Sequence, residues 1–454
     1  MDGTTDPALE PVCIIGAGIA GLTAAHDLVR QGRQVLVLEG AAEVGGLASS
    51  LAIDGQPIDR FHHFICRGDH DLVELISELG ISHRLHWRQC TTSFLFDGRL
   101  FDFGTPIDLL RFGPVPLTQR IRFGLNIVRS RYRKSWRQLD PLSAKAWLTR
   151  QIGARAYEVI WEPLLKIKFG EAHERVSAAW IWHRIHRVAS SRRKLWEREH
   201  LGYLELGSAT VIDALLDRLH TLGGFSARTG ARVEDVCIEE GKVCGVRLVG
   251  QVEPIRCQQV ISTIALPLLA RLCPALDAHY RRRLQSIDYL AVVCGLLKLT
   301  RPLTSSFWVN INDPRTPYNG IIEYSNLNRH LDLGGSAIVY VPLYLEAGHP
   351  RYGFDDQTLL AELVDCLRCV NPAFERSWIE EHHISRASHA QAVCAVGFAD
   401  SVPDHRAPAR GLYLTDSTQF YPEDRTISAA IRLGRRVARM VLDDAPICSR
   451  GGSP

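Results

Sequence analysis

Apolar positions change period several times along this chain. Val12 to Ile15 is an unbroken apolar run, the pattern of a parallel strand buried on both faces. Helical spacing follows through Leu22, Ala25, Leu28 and Val29, and Gly32 closes it. Residues 34–38 predict a second strand, which ends at Glu39. Residues from about 75 to 200 read as mostly helical. Within them Thr118 is a candidate N-cap, and Leu117, Ile121, Leu125, Val128, Tyr132 and Trp136 recur in steps of three and four, giving one apolar face. The region 275–390 is richer in strands, with runs at 289–300, 306–311, 320–326 and 336–344.

Charge alters the reading of the helical region. Between Arg111 and Arg137 stand seven arginines, one lysine and no acid, and Arg120, Arg122, Arg129, Arg131 and Arg133 fill much of the face opposite the apolar one. A basic amphipathic helix can lie on an anionic membrane, or it can pack between domains with a solvated basic side. Arg184, Arg187, Arg192, Arg193 and Lys194 form a second basic cluster, which suits a phosphorylated substrate or a plain solvated face.

Bulk properties exclude more than they assign. At 454 residues the chain is long enough for two or three domains, and 46% hydrophobic with 23% charged residues is ordinary for a globular enzyme. A net charge of +3 gives no reason to expect nucleic acid. The start, MDGTTDPALE, lacks the basic and apolar parts of a signal peptide, and the longest apolar run, 289–297, is too short to span a bilayer. Twelve scattered cysteines read as reduced thiols in the cytoplasm, and Cys366 with Cys369 makes an isolated CxxC without the second pair of a zinc site.

The turn after the first strand is Gly16-Ala17-Gly18-Ile19-Ala20-Gly21. Gly16 permits the tight turn, Gly18 lets backbone approach a pyrophosphate, and Gly21 lets helix and strand pack closely. The following helix start supplies N–H groups and the positive dipole end. Glu39 can accept from a ribose 2′-hydroxyl. Strand, glycines, helix and acid together point to a dinucleotide.

The continuation, Glu39 to Ser49 with Gly45-Gly46-Leu47, resembles the stretch after the second strand in the flavin-containing amine oxidase and protoporphyrinogen oxidase-like superfamily. Ala41 stands where that superfamily usually has a basic residue. The segments 203–208, 231–236, 260–265 and 411–434 are similar to its later segments. The resemblance implies a Rossmann-like, discontinuous FAD-binding domain of the GR2 type (1–75 with 203–270 and 391–445), a helical insertion (76–202), an antiparallel-sheet substrate domain (271–390) and a disordered tail (446–454). It implies FAD contacts from Gly16, Gly18, Ala20, Gly21, Glu39, Gly45, Gly46 and Leu47. Val233 would meet the adenine through its backbone, Asp416 the ribitol or pyrophosphate, and Arg425, Thr426 and Ile427 the flavin at a helix start. Residues 161–170, with Lys168, resemble a segment on the route to the flavin. Trp308, Asn310, Glu323, Tyr324, Tyr340 and Tyr344 are candidate walls, and Lys298 either corresponds to the lysine–water pair of some amine oxidases or points outward.

Residues 58–71, IDRFHHFICRGDHD, follow the glycine pair. Adjacent side chains of an extended segment face opposite ways, and no third ligand stands near, so His62 and His63 do not read as a metal site. The stretch resembles a His-containing one beside the flavin in UDP-galactopyranose mutase, which makes one histidine a catalytic candidate and the other a packing residue, in an order left open. Three functions compete. One is an FAD-dependent oxidoreductase acting on a small molecule, cytoplasmic or peripheral at a membrane. The second is a redox-neutral flavoenzyme on a nucleotide- or lipid-linked sugar. The third is a non-enzymatic binding protein, as in the prenylated-GTPase chaperones that share this fold, against which the intact glycines and Glu39 argue.

Overall fold

The computed structural model describes residues 10–192, 194 and 196–444. The expected disordered tail, 446–454, and Arg193 lie outside the described residues.

Five strands form a parallel sheet in the order Leu412–Leu414, Val260–Ser262, Val12–Ile15, Val35–Leu38, Phe225–Arg228. Ile14 sits between Ile261 and Val37, so three distant stretches of chain meet in one layer. All four residues of Val12–Ile15 are buried, as expected for a central parallel strand. Helix Ile19–Arg30 covers one face and packs on helix Ile427–Asp443. Gly434 makes that approach possible, because a Cβ there would collide with the Ala20 carbonyl oxygen.

The second sheet has seven strands in the order Ile379–Ala392, Tyr289–Leu299, Ala337–Leu345, Gly320–Glu323, Trp308–Asn312, Thr92–Phe96, Arg99–Asp102. The strand-rich expectation for 275–390 agrees with it, but two details differ. Trp308–Asn312 pairs with Thr92–Phe96 in parallel, so the sheet is not wholly antiparallel. Thr92–Phe96 and Arg99–Asp102 come from the region expected to be helical. Their apolar content is too short to show a period, and pairing with a distant strand decides their state.

Helices Pro106–Arg111, Leu117–Tyr132, Ala144–Ile152, Glu162–Phe169 and Ala178–Ser190 lie in the insertion, together with strand Leu85–Gln89, which pairs with His200–Leu204. Thr118 is not the cap of its helix. Pro116 holds that position, and its carbonyl accepts from the amides of Gln119 and Arg120. The apolar stripe is also turned the other way from a core stripe. Phe123, Asn126 and Ser130 are the buried residues, while Leu117, Ile121, Leu125 and Tyr132 are 54%, 50%, 48% and 69% exposed. Among the described residues no helix is long and apolar enough to cross a membrane.

Candidate active site

A cavity of about 1330 Å³ runs from the first glycine turn to the seven-stranded sheet. At one end is a backbone cradle. A Cβ on Gly16 would lie 2.5 Å from Thr263 Oγ1, at a φ of +103°, while Gly18 has open space before it. The helix starting at Ile19 has no side-chain cap at Gly18, so its first N–H groups face the cavity unserved. The glycine pair docks on this turn. The Gly45 amide donates to the Ala17 carbonyl at 2.8 Å, and Gly45 and Gly46 both take positive φ. Glu39 accepts from the amides of Ala17 (2.8 Å) and Ala41 (2.9 Å), which fixes its carboxylate at the rim.

The donor set fits a dinucleotide: two glycine turns, a bare helix start and an oriented carboxylate. Thr415, just past strand Leu412–Leu414, also lines the cavity, and its buried hydroxyl has no partner among the described residues. Thr426 caps helix Ile427–Asp443 by accepting from the Ala429 amide at 3.0 Å, and both Thr426 and Ile427 line the cavity. Ala20 and Leu47 line it as well.

Four expected positions fall differently. Gly21 is not a lining residue, because it faces the Gly16 carbonyl where helix and strand pack. Val233 is buried in the core and is not a lining residue. Asp416 lines the cavity, but its carboxylate is engaged by the protein. It accepts from the Thr418 amide (2.8 Å) and hydroxyl (2.6 Å), the Leu266 amide (3.2 Å) and the Tyr289 hydroxyl. Oδ1 caps its own turn and Oδ2 ties that turn to Leu266 and Tyr289, so the acid anchors the loop at the cavity wall. Lys298 points away from the cavity and pairs with Asp54 (2.7 Å) and Glu380 (3.1 Å), so it is no counterpart of a flavin-side lysine.

The far end is walled by the second sheet. Of the six expected wall residues, Trp308, Asn310 and Tyr344 line the cavity, and Glu323, Tyr324 and Tyr340 do not. Glu323 instead accepts from the Leu303 and Thr304 amides, and Tyr340 donates to the Asp59 carbonyl.

Both histidines line the cavity. The strand ends at Asp59, so residues 60–64 do not alternate as an extended segment would. His62 packs edge-on to Trp308 at 5.4 Å and against Tyr340 at 6.0 Å. Burial, then the positive charges around it, push its imidazole down to about 3, so it is neutral at physiological pH. His63 is held differently: its Nδ1 lies 3.1 Å from Asp59 Oδ2. Asp59 is 3% exposed and is itself fixed by the Ser208 amide (3.0 Å) and hydroxyl (2.7 Å). This acid was missed in the sequence, because nothing local marks a residue whose partners lie 149 positions away.

A charged group lies beside the histidines. Lys168 lines the cavity, 9% exposed, with the rings of Tyr344, Trp180 and Phe169 at 4.6, 4.9 and 5.6 Å. Arg184 donates to Asp424 at 2.9 Å, and Arg187 donates to Asp69 at 2.9 Å. Arg425 donates to the Ala390 carbonyl at 2.6 Å and to the Tyr344 hydroxyl, which puts it on the wall facing the second sheet. Burial alone would raise the Asp424 carboxyl, but Lys168, Arg184, Arg425 and Arg187 together hold it well below the usual carboxylate range. Among the described residues one possible metal-ligand group, His86, Glu205 and His330, lies together, outside this cavity.

The family model described as flavin containing amine oxidoreductase matches residues 19–442. A Mycobacterium tuberculosis protein described as a flavin-containing monoamine oxidase is 32% identical over 160 residues, covering 32% of this chain and 34% of that one. Putrescine oxidase of Kocuria rosea is 29% identical over 153 residues, 32% of each chain. The match thus spans about a third of the length of these curated relatives. Reduced UDP-galactopyranose mutase superposes with a TM-score of 0.74 at 16% identity over 96% of both chains, a likeness of fold.

Proposed function

The chain belongs to the flavin containing amine oxidoreductase family, its cofactor is FAD, and from that premise we propose that it oxidises a small-molecule substrate by hydride transfer to the flavin. One observation carries this reading: the glycine cradle and the aromatic wall of His62, Trp308 and Tyr344 belong to a single continuous cavity. The parallel sheet is then the FAD-binding unit of the GR2 type, assembled from the three expected stretches. The seven-stranded sheet carries the substrate wall. Gly16, Gly18, Gly45 and Gly46 hold the pyrophosphate side, with Gly21 packing the helix onto the turn behind them, Glu39 holds the ribose, and Thr426 and Ile427 present a helix N-terminus where negative charge develops.

His63, oriented by Asp59, is the residue placed to hold or accept a substrate proton at Nε2. His62, kept neutral, shapes the wall and excludes water. Purified protein is expected to be yellow and to release FAD on denaturation. Anaerobic mixing with panels of amines, porphyrins, polyenes and sugar diphosphates is expected to bleach the flavin with at least one substrate. His63→Ala lowers that bleaching rate about a hundredfold with FAD content unchanged, the range of a lost general base. Full turnover of a sugar diphosphate without net bleaching would instead support the redox-neutral alternative. If no panel member bleaches a flavin that dithionite reduces, the oxidase reading fails.

The exposed face of helix Leu117–Tyr132 favours a peripheral membrane position and a lipid-linked substrate. Ile107, Leu110, Leu117, Ile121 and Leu125 are exposed beside Arg111, Arg122 and Arg129, while Phe123 and Ile127 of the same helix line the cavity. Sedimentation with phosphatidylserine vesicles is expected, and phosphatidylcholine vesicles should bind far less. The double change Ile121→Asp, Leu125→Asp should cut binding about tenfold or more, since each places a charge in the apolar contact. Equal sedimentation by the double variant rules out this face.

A further inference from the structure

We propose that the recess lined by Lys168, Arg184 and Arg425 is a subsite for an oxyanion, a carboxylate or phosphate carried by the substrate, with the Lys168 ammonium as its direct ligand. The proposal rests on the oxidoreductase reading above and adds a substrate class to it.

Charge balance is the first argument. Five cations, Lys168, Arg184, Arg187, Arg192 and Arg425, stand against three carboxylates, Asp69, Asp424 and Glu199. All three carboxylates are already engaged, Glu199 by the Ser191 hydroxyl at 2.8 Å. Asp424 accepts from Arg184 at 2.9 Å and from the Arg425 amide at 3.0 Å. Asp69 accepts from Arg187 at 2.9 Å and from the Cys66 amide at 2.7 Å. The recess therefore keeps a surplus of positive charge in a poorly hydrated place, which an incoming anion offsets.

The second argument is the state of Lys168. Among the described residues its ammonium has no hydrogen-bond or ion-pair partner, although it is nine-tenths buried and lines the cavity. Burial first, then Arg184 and Arg425, pull it down to about 7, partly opposed by Asp424. An ammonium with three idle donors among Phe169, Trp180 and Tyr344 is attracted to the ring faces, but those faces accept no conventional hydrogen bond.

The third argument is what the recess excludes. An aromatic cage can hold a substrate ammonium, but here the protein's own lysine fills it. A diamine end would meet like charge from Lys168, Arg184 and Arg425. The cradle does not use this charge either, since none of the groups beside Lys168 belongs to the Gly16–Gly21 turn.

Titration calorimetry on the FAD-loaded protein tests the subsite with benzoate, phenyl phosphate, benzamide and benzylamine as probes. Benzoate, phenyl phosphate or both should bind about tenfold or more tightly than benzamide, and benzylamine more weakly still. Preference between the two anions identifies the source as carboxylate or phosphate. Lys168→Met should weaken the preferred anion about tenfold or more, and Lys168→Arg should restore most of it. Equal binding of benzamide and the anions overturns the proposal, as does unchanged anion affinity in Lys168→Met. Should that variant lose FAD or fold poorly, the comparison of probes on the unaltered protein still decides. The two readings fail separately. A flavin bleached by a substrate in a protein that binds none of the anions sinks only the subsite. Anion binding through Lys168 in a protein whose flavin no substrate bleaches sinks only the oxidase reading.

Discussion

Gly21→Ala is expected to yield a colourless protein. A Cβ at Gly21 would penetrate the Gly16 carbonyl oxygen and come within 3.2 Å of the carbonyl carbon and 3.3 Å of Ile14 Cγ2. The obstacle is backbone, so no side chain can move aside. Helix Ile19–Arg30 would have to leave the strand end, and with it the unserved N–H groups that face the cavity. Overpacking of this kind costs about 3 kcal/mol, or about 150-fold in FAD affinity. Gly32→Ala is the control. Unlike Gly21 it has positive φ, +77°, but a Cβ there meets nothing within 4 Å and the site lies at the other end of the helix. The flavin-to-protein absorbance ratio of the purified variants reads the outcome. A fully yellow Gly21→Ala protein would show that the turn is not the cofactor cradle.

Asp424→Asn should be the most destabilising charge change in the chain. The carboxylate is the common neighbour of Lys168, Arg184, Arg187 and Arg425. Its removal leaves the buried Lys168 and the half-buried Arg184, Arg187 and Arg425 uncompensated, a loss below the about 3–5 kcal/mol of a fully buried pair because solvent screens Arg184. The exposed pair Lys145–Glu174 should show no measurable loss when broken, because solvent screens it. The pH dependence has a definite sign. Asp424 is held below its unfolded value, so its contribution is fully present at neutral pH and is lost as pH falls through the acid range. Urea unfolding of Asp424→Asn, Lys168→Met and the double variant measures the coupling. The second change should recover part of the loss, since it removes one stranded cation. Simple additivity, or a stability equal to the unaltered protein, would remove Asp424 from the centre of this network.

Histidines 62 and 63 illustrate where sequence reasoning stops. Their position after the glycine pair is local information, and both do lie in the cavity. Which of them is oriented depends on Asp59, and Asp59 depends on Ser208. The same limit explains Asp416 and Lys298. Each has the residue type and place in the chain that a cofactor contact would need. Each is diverted by partners from elsewhere: Tyr289 and Leu266 for the first, Asp54 and Glu380 for the second. The wall residues follow suit. Trp308 and Tyr324 look alike as aromatic strand positions, but only sheet pairing and strand ends decide that Trp308 reaches the cavity.

By itself the sequence determined the elements whose signals repeat within a few residues. Those are the buried strand Val12–Ile15, the glycine turn, helix Ile19–Arg30, and the apolar strands 289–299 and 337–345. Backbone sterics and periodic burial act locally, so they can be read along the chain. Tertiary structure alone decided the joining of 92–102 to the second sheet and the exposure of the stripe on Leu117–Tyr132. It alone brought the buried Lys168 and the half-buried Arg184 and Asp424 into one cluster. Electrostatic partnership and burial depend on distance in space, and residues 168, 184 and 424 become neighbours only when the chain has folded.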